Sequence, residues 1–232
     1  MQKIRALFYA YRALIVLTML LAAMLIFRIG ILSEAPCSNW LSYPLCPKLR
    51  FGFLLWNAFL AWVPLFFLEY LLRRQQLKLV HWAILGLAIL FFPNAPYLIT
   101  DLIHIRQQEG IPIWYDALML FAFAYLGLVL SMRALQQIHV LLQRSVYHQL
   151  TNYVLATILL LSGLGIYLGR VLRWNSWDML ARPHGPVMDT AALFLQPYHY
   201  REAWLMIVLF GTLLGCIYWV WRSDLQQKSP GS

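Results

Sequence analysis

The chain has 232 residues, of which 62% are hydrophobic and 12% are charged. Soluble domains carry about 45–50% apolar and roughly 25% charged residues, so this composition excludes an ordinary soluble globular protein. The net charge is +9, but no nucleic-acid-binding motif accompanies the basic residues, and we attribute the charge to contact with anionic lipid headgroups.

Charge-poor apolar runs predict six transmembrane helices. A helix crosses the bilayer core with about 20 mostly apolar residues, whereas a barrel strand needs only about 9–11 residues of alternating polarity. These runs are longer than strands and apolar on all sides, and the first is long enough if Arg28 extends its side chain to the interface. The expected spans are 13–32, 51–72, 79–100, 114–132, 149–169 and 203–221.

The sequence therefore predicts an all-α, polytopic membrane helical bundle. We expect one domain over residues 1–222 and a short flexible tail over 223–232. The side that holds the termini carries ten of the 18 basic residues and two of the nine acidic ones. Because Lys and Arg concentrate in cytoplasmic loops, we expect both termini to be cytoplasmic.

The first external loop of this topology contains Cys37 and Cys46. Disulfides persist in oxidising compartments, so a bridge between these cysteines is compatible with the sequence, and so are two free thiols. Cys216 lies within the sixth span, and we interpret it as a small packing residue.

The third span ends in FFPNAPYLITDLIH (residues 91–104), where polar residues and two prolines follow an apolar run. Prolines break or kink a helix, and freed backbone groups at membrane depth are tolerated only where protein or a water-filled cavity surrounds them. Asp101 and His104 are three residues apart and share a face of a continuing helix. This segment therefore predicts a polar site at the outer end of the third span.

Other polar motifs are expected at the same end of the bundle. WYD (114–116) opens the fourth span, WNAFLAWVP (56–64) lies in the second, and YLGRVLRWNSWD (167–178) ends the fifth. Polar residues inside membranes are costly and indicate function by default. The predicted substrate-binding residues are Asn57, Asn94, Tyr97, Arg170, Arg173, Trp174, Asn175 and Asp178.

These four motifs resemble the signature of a bacterial integral-membrane family, the domain of unknown function 1361. The resemblance extends roughly from Phe51 to the sixth span, and the length of the motifs makes it specific. It implies a multi-pass protein of the bacterial plasma membrane and favours treating the motif residues as a group. The family has no established activity, so the resemblance implies no substrate and no cofactor.

Asp101, His104 and Asp116 are the predicted catalytic residues. Carboxylate and imidazole groups act as acids and bases or bind zinc, and we expect Asp116 to approach from the neighbouring helix. A zinc site would need a further ligand, such as His184 or His199. The alternative is a capping aspartate and an interfacial histidine, and the sequence identifies no metal.

Arg170 and Arg173 have two interpretations. Guanidinium groups fit phosphate and carboxylate groups, so this pair could hold a lipid phosphate or an anionic substrate. The alternative is a salt bridge to Asp101, Asp116 or Asp178 that joins two helices. Both interpretations place these side chains at the same end of the bundle.

The connection from Arg170 to Glu202 is long, and long loops are usually functional or contain structure of their own. MDTAALFLQPYHY (188–200) is too short to cross the bilayer. We expect it to form a re-entrant or interfacial helix that covers the polar cluster. Gly165-x-x-x-Gly169 lets helices approach closely, which we interpret as packing; an oligomer is compatible with the sequence but not indicated.

Three functions are compatible with these features. The first is an envelope enzyme that hydrolyses a lipid-linked or anionic substrate, or transfers a group from it, at a polar pocket near the outer face. The second is a transporter or channel that binds a small solute at the broken third helix. The third is a non-catalytic assembly or scaffold protein. Membrane lipids are the expected partners, nucleic acid is not, and protein partners are not identified.

Overall fold

The computed structural model describes residues 2–32, 51–106, 111–144 and 148–227. The predicted all-α architecture is confirmed over these residues, while Cys37 and Cys46 lie outside them. The elements are α1 (Gln2–Phe27), a π-helical turn (Arg28–Leu32), α2 (Phe53–Leu72), α3 (Leu79–Phe91), α4 (Asn94–Tyr97), a 3-10 helix (Leu98–His104), α5 (Ile113–Gln143), a 3-10 turn (His148–Leu150), α6 (Thr151–Arg170), α7 (Asp178–Ala181), α8 (His184–Leu195) and α9 (Arg201–Gln227).

Within the described ranges, six stretches are long and apolar enough to cross a membrane. This finding confirms the prediction of a multi-pass helical membrane protein. The six stretches are Tyr11–Gly30, Phe53–Leu72, Leu79–His104, Ile113–Gln143, Thr151–Arg170 and Arg201–Ser223.

Several helices extend beyond their predicted spans, and α1 already begins at Gln2, before the predicted start at residue 13. Helix α5 continues to Gln143, beyond the predicted end of the fourth span at residue 132. Helix α9 continues to Gln227, so residues 223–227 of the predicted tail are helical. Hydropathy detects only the roughly 20 residues that cross the bilayer core, and it is insensitive to a polar helical continuation beyond the membrane.

Helix α5 is the central element of the bundle. It contacts α1, α2, α4, α6 and α9 as well as the 3-10 helix. In its most apolar window 61% of the residues are buried, against 22% in the first span. Its buried side chains Met119, Phe123, Leu130 and Leu135 belong to the main hydrophobic cluster. Helix α5 therefore touches every other crossing, although α9 packs mainly on α6 and α3 mainly on α2.

The third crossing changes its helical form at the two prolines. Helix α3 ends at Phe91, and the chain continues through α4 and the 3-10 helix. The Asn94 side chain donates a hydrogen bond of 2.8 Å to the Phe91 carbonyl oxygen, which satisfies an acceptor beside the break. Side chains three residues apart eclipse in a 3-10 helix, so Asp101 and His104 point in the same direction.

Glycines allow α6 to approach its neighbours closely. A Cβ on Gly165 would lie 2.6 Å from Pro93 Cγ, beside α4. On the other side, a Cβ on Gly163 would lie 2.4 Å from the Ile207 carbonyl oxygen of α9. The packing role predicted for the small residues of this helix is therefore confirmed within one chain.

We predict that Gly127→Ala destabilises the protein by about 1–3 kcal/mol, the usual cost of overpacking a core. The added Cβ would lie 2.3 Å from the Ala95 carbonyl oxygen. This contact can be relieved only by a shift of the backbone, which costs more energy than the rotation of a flexible side chain. Gly86→Ala is the matched control, because nothing lies within 4 Å of the added Cβ. Thermal unfolding in detergent measures both variants, and equal midpoints would contradict the close packing of α5 against α4.

Candidate functional site

Arg170, the last residue of α6, binds the 3-10 helix through most of its donors. Its Nε and Nη2 donate to Thr100 Oγ1 at 2.8 and 2.6 Å, and Nη2 also donates to the Asp101 carboxylate. Its Nη1 lies 3.2 Å from His104 Nε2. The Tyr97 ring packs against the guanidinium, with 4.3 Å between Cζ and the ring centroid. We call these five residues the Arg170 cluster.

The protonation of the Arg170 cluster follows from its donors and acceptors. A guanidinium only donates, so in this contact His104 Nε2 is the acceptor. The Asp101 side chain is 0% exposed and that of Arg170 is 15% exposed. Asn57 Nδ2 gives Asp101 a second donor at 3.3 Å. Two donors compensate the carboxylate for the water it lost on burial.

A cavity of about 370 Å³ lies beside the Arg170 cluster, between α3 and α6. Ligand pockets usually have volumes of roughly 300–1,000 Å³. One end of this cavity is apolar, and the other end is polar and adjoins the cluster through Asn57 and Tyr97. The apolar end is lined by Gly86, Ile89, Leu90, Leu161 and Leu164, and the polar end by Asn57, Asn94, Tyr97, Trp174, Asn175 and Ser176 beside the apolar Leu168, Met179 and Pro186.

The segment that follows α6 covers the polar end of the cavity. Ser176 Oγ accepts a hydrogen bond of 2.8 Å from Asn94 Nδ2 of α4. Trp177 packs edge-on against Trp56 of α2, with 6.0 Å between the ring centroids. These contacts join the segment to two other crossings, so it closes the cavity at this end.

Helix α8 supports this cover. The Trp174 indole nitrogen donates a hydrogen bond of 2.7 Å to Asp189 Oδ2, and a Cβ on Gly185 would lie 2.5 Å from the Trp174 ring. Pro186 lines the cavity itself. The sequence predicted a short helix over the polar cluster, and α8 is such a helix, although it begins earlier and covers the cavity.

A second ion pair joins the π-helical turn to α5. Arg28 Nε and Nη2 donate to the two oxygens of Asp116 at 2.7 and 3.1 Å. The two side chains are 0% and 1% exposed, and the Phe51 ring centroid lies 4.4 Å from Arg28 Cζ. The expectation that Arg28 reaches the interface is therefore wrong, because the buried Asp116 carboxylate requires a paired cation.

The structure divides the predicted catalytic residues between the two ion pairs. Asp101 and His104 share Arg170, whereas Asp116 pairs with Arg28. The expected salt bridge of Arg170 to a carboxylate is confirmed. The catalytic roles themselves are untested by these contacts and stay predictions.

Five of the predicted binding residues line this same cavity: Asn57, Asn94, Tyr97, Trp174 and Asn175. They come from three separate motifs of the sequence. Arg170 lies behind them in the Arg170 cluster.

Arg173 and Asp178 are not among the residues that line the cavity. Helix α6 ends at Arg170, and Arg173 is exposed with a φ of 63°, which is uncommon for a residue other than glycine. The helical spacing that would align the two arginines therefore does not apply. Asp178 accepts hydrogen bonds from the backbone and side-chain nitrogens of Asn175, at 2.7 and 3.2 Å.

Metal binding finds no support among the described residues. No group of three or more His, Cys, Asp or Glu side chains there is arranged to hold an ion. His184 and His199, the additional ligands that zinc would need, are both exposed.

Sequence reasoning missed three contributors to these contacts: Arg28, Thr100 and Ser176. The sequence does contain a signal for Arg28. A lone arginine at the end of an apolar run must either reach water or pair with a buried acidic residue. Thr100 and Ser176 left none, because only their three-dimensional neighbours distinguish them from other hydroxyl residues of the chain.

Comparison with known proteins identifies a family. Residues 56–217 match a family model described as "Protein of unknown function (DUF1361)". This range includes every predicted site residue and every residue that lines the cavity, but not Arg28. No curated protein and no solved structure matches the chain.

We predict that Asp116→Asn destabilises the protein by about 3–5 kcal/mol, because it breaks a buried ion pair by removing one of its charges. Arg28→Met combined with Asp116→Leu should be less destabilised than Asp116→Asn alone, since both charges are then absent. Arg73→Met is the control, because the Arg73–Glu69 pair is largely exposed and such pairs contribute about 0–1 kcal/mol. Thermal unfolding in detergent is the measurement, and a double variant that loses more stability than the single variant would contradict the pairing.

Proposed function

The chain belongs to the DUF1361 family, whose description gives no activity, and we propose that it binds a membrane amphiphile in the cavity between α3 and α6. The observation that carries this proposal is the division of the cavity lining. Its apolar end follows the two helices, and its polar end adjoins the Arg170 cluster. A lipid or lipid-linked molecule has the same division between its tail and its head.

The shape of the cavity favours a ligand that enters from the bilayer. Gly86 and Leu161, at the apolar end, are exposed on the sides of membrane-crossing helices, whereas the segment around Ser176 covers the polar end. From Leu161 to Gly169 the lining extends about 12 Å along α6, at 1.5 Å per residue. This length accommodates part of an acyl or prenyl chain, with its head group next to Asn57.

We propose that the ligand belongs to the outer leaflet of a bacterial plasma membrane. The side of the bundle with the termini carries ten of the 18 basic residues and two of the nine acidic ones, and cytoplasmic loops are enriched in Lys and Arg. The termini are then cytoplasmic. The polar end of the cavity, at the opposite end of the bundle, faces the outside of the cell.

A second candidate is an envelope enzyme that hydrolyses the same amphiphile or transfers a group from it. The observation that favours it is the pair of acid–base groups, His104 and Asp101, held by Arg170 behind Asn57. A general base must lie within about 3 Å of the proton that it removes, or act through one water. In this candidate a bound head group draws His104 away from Arg170, while Asp116 keeps a structural role with Arg28.

Filling the apolar end of the cavity tests binding. We predict that Gly86→Phe lowers photolabelling of residues 161–168 by a lipid with a diazirine in its acyl chain by about tenfold or more, which equals 1.4 kcal/mol of binding energy. A side chain on Gly86 projects into open space, and phenylalanine is a better helix former than glycine, so the variant should fold.

The control for this experiment is Ala83→Phe. Ala83 is exposed on the same helix, one turn earlier, and is not part of the lining. It should label as strongly as the unmodified protein. Equal labelling of Gly86→Phe would contradict amphiphile binding in this cavity and would favour the scaffold function.

Removing the acid–base group tests the second candidate. We predict that His104→Gln keeps lipid photolabelling but slows conversion of labelled membrane lipid about 10²–10⁴-fold if the protein is an enzyme of this type. The glutamine oxygen can still accept from Arg170, so the Arg170 cluster is retained. The products of the purified protein are measured by mass spectrometry, and equal conversion by the variant and the unmodified protein would exclude His104 as the acid or base.

A further inference from the structure

The polar end of the cavity has uncharged side chains. Its polar residues are three asparagines, a tyrosine, a tryptophan and a serine, and the lining contains no Lys, Arg, His, Asp or Glu among the described residues. Proteins recognise phosphate and carboxylate groups mainly with guanidinium and ammonium groups. A head group that remains ionised after entering this cavity would lose water without gaining an opposite charge.

Arg170 and Arg173, which the sequence suggested as anion-binding residues, do not supply a positive charge to the cavity. Arg170 donates to Thr100, Asp101 and His104, and the Asp101 carboxylate neutralises it. Arg173 is exposed, on a left-handed turn beyond the end of α6. Neither residue is part of the lining.

The asparagine amides have fixed orientations. Asn57 Nδ2 faces the Asp101 carboxylate at 3.3 Å, and Asn94 Nδ2 faces the Phe91 carbonyl oxygen at 2.8 Å. A carboxylate and a carbonyl oxygen only accept hydrogen bonds, so the NH₂ group must point to each of them. Both residues line the cavity, so the group that each can offer to a ligand is its Oδ1 acceptor.

Acceptors of this kind select a donor on the ligand. Amide oxygens repel the oxygens of phosphate and carboxylate groups but accept hydrogen bonds from hydroxyl groups. The Tyr97 and Ser176 hydroxyls, which also line this end, can donate or accept and so match a group that does both. The Trp174 indole adds a surface with an apolar face, which suits the C–H face of a sugar ring.

We therefore propose that the head group is an uncharged polyhydroxyl group, such as the sugar of a glycolipid. This inference rests on the proposed function, since it assumes that the cavity holds an amphiphile. The sequence suggested an anionic substrate held by Arg170 and Arg173, whereas the cavity lining favours a neutral ligand. The tail occupies the apolar end, and the hydroxyls contact Asn57 and Asn94.

Competition for photolabelling distinguishes the head groups. Protein in phosphatidylcholine nanodiscs is labelled with the diazirine lipid in the presence of dodecyl β-glucoside, dodecyl phosphate or free glucose. We expect the glucoside to suppress labelling of residues 161–168 at a concentration about tenfold or more below that of dodecyl phosphate, which corresponds to 1.4 kcal/mol. Free glucose should have no effect, because it lacks the tail.

A variant connects this selectivity to the proposed contact. Asn94→Leu has nearly the volume of the native side chain but lacks its acceptor, so the preference for glucoside over phosphate should fall by about tenfold, or 1.4 kcal/mol. Gln75→Leu is the matched control, since Gln75 is an exposed amide in the connection between α2 and α3. Thermal unfolding shows whether Asn94→Leu has a folding defect. If it has one, the competition between glucoside and phosphate in the unmodified protein alone tests the neutral head group.

Failures of the two proposals are distinguishable. If dodecyl phosphate competes as well as the glucoside, the neutral head group is wrong and amphiphile binding stands. The same holds if a folded Asn94→Leu variant keeps the full preference. If free glucose competes as well as the glucoside, the apolar tail contributes nothing, so amphiphile binding is wrong and the inference that rests on it is wrong as well. If no amphiphile competes and Gly86→Phe labels normally, both proposals are wrong.

Discussion

The candidate site depends on the burial of one guanidinium. Arg170 is nearly enclosed at the end of a membrane-crossing helix, where an uncompensated charge would cost several kcal/mol. The 3-10 helix compensates it with Thr100, Asp101 and His104, three acceptors on a stretch of five residues. Asp101 and His104 eclipse in this 3-10 helix, so both side chains face the guanidinium from the same direction.

The break in the third crossing also creates the cavity. Pro93 and Pro96 end α3 before it can follow α6 to the end of the bundle, and α4 packs on α6 at Gly165 instead. Helices α3 and α6 therefore line opposite walls of a space. The Asn94 side chain, which satisfies a carbonyl freed at the break, is held at its polar end. One local feature of the sequence thus positions the cluster, the cavity and a polar wall.

The sequence predicts the crossings because apolar length is a local property, and the run of Pro, Asn, Asp and His in 93–104 reveals a polar site in the same way. Pairing is not local. Nothing in the sequence distinguishes Arg28 from Arg173 as the partner of Asp116, and the left-handed turn at Arg173 is visible only in φ. The cavity was also beyond prediction, since it is a gap between helices. The grouping of Asp101, His104 and Arg170 could be predicted, but the neutral lining of the cavity could not.

The Arg170 cluster is connected to the cavity through Asn57. Its NH₂ group donates to Asp101, and its oxygen is at the cavity wall, so one planar amide contacts both places. A ligand hydroxyl that donates to this oxygen polarises the amide and strengthens its donation to the carboxylate, since hydrogen bonds in a chain reinforce one another. Asp101 then competes more weakly for Arg170, which keeps its contacts with Thr100, His104 and the Tyr97 ring. Occupancy of the cavity would in this way affect Asp101 and His104 without direct contact between these residues and the ligand.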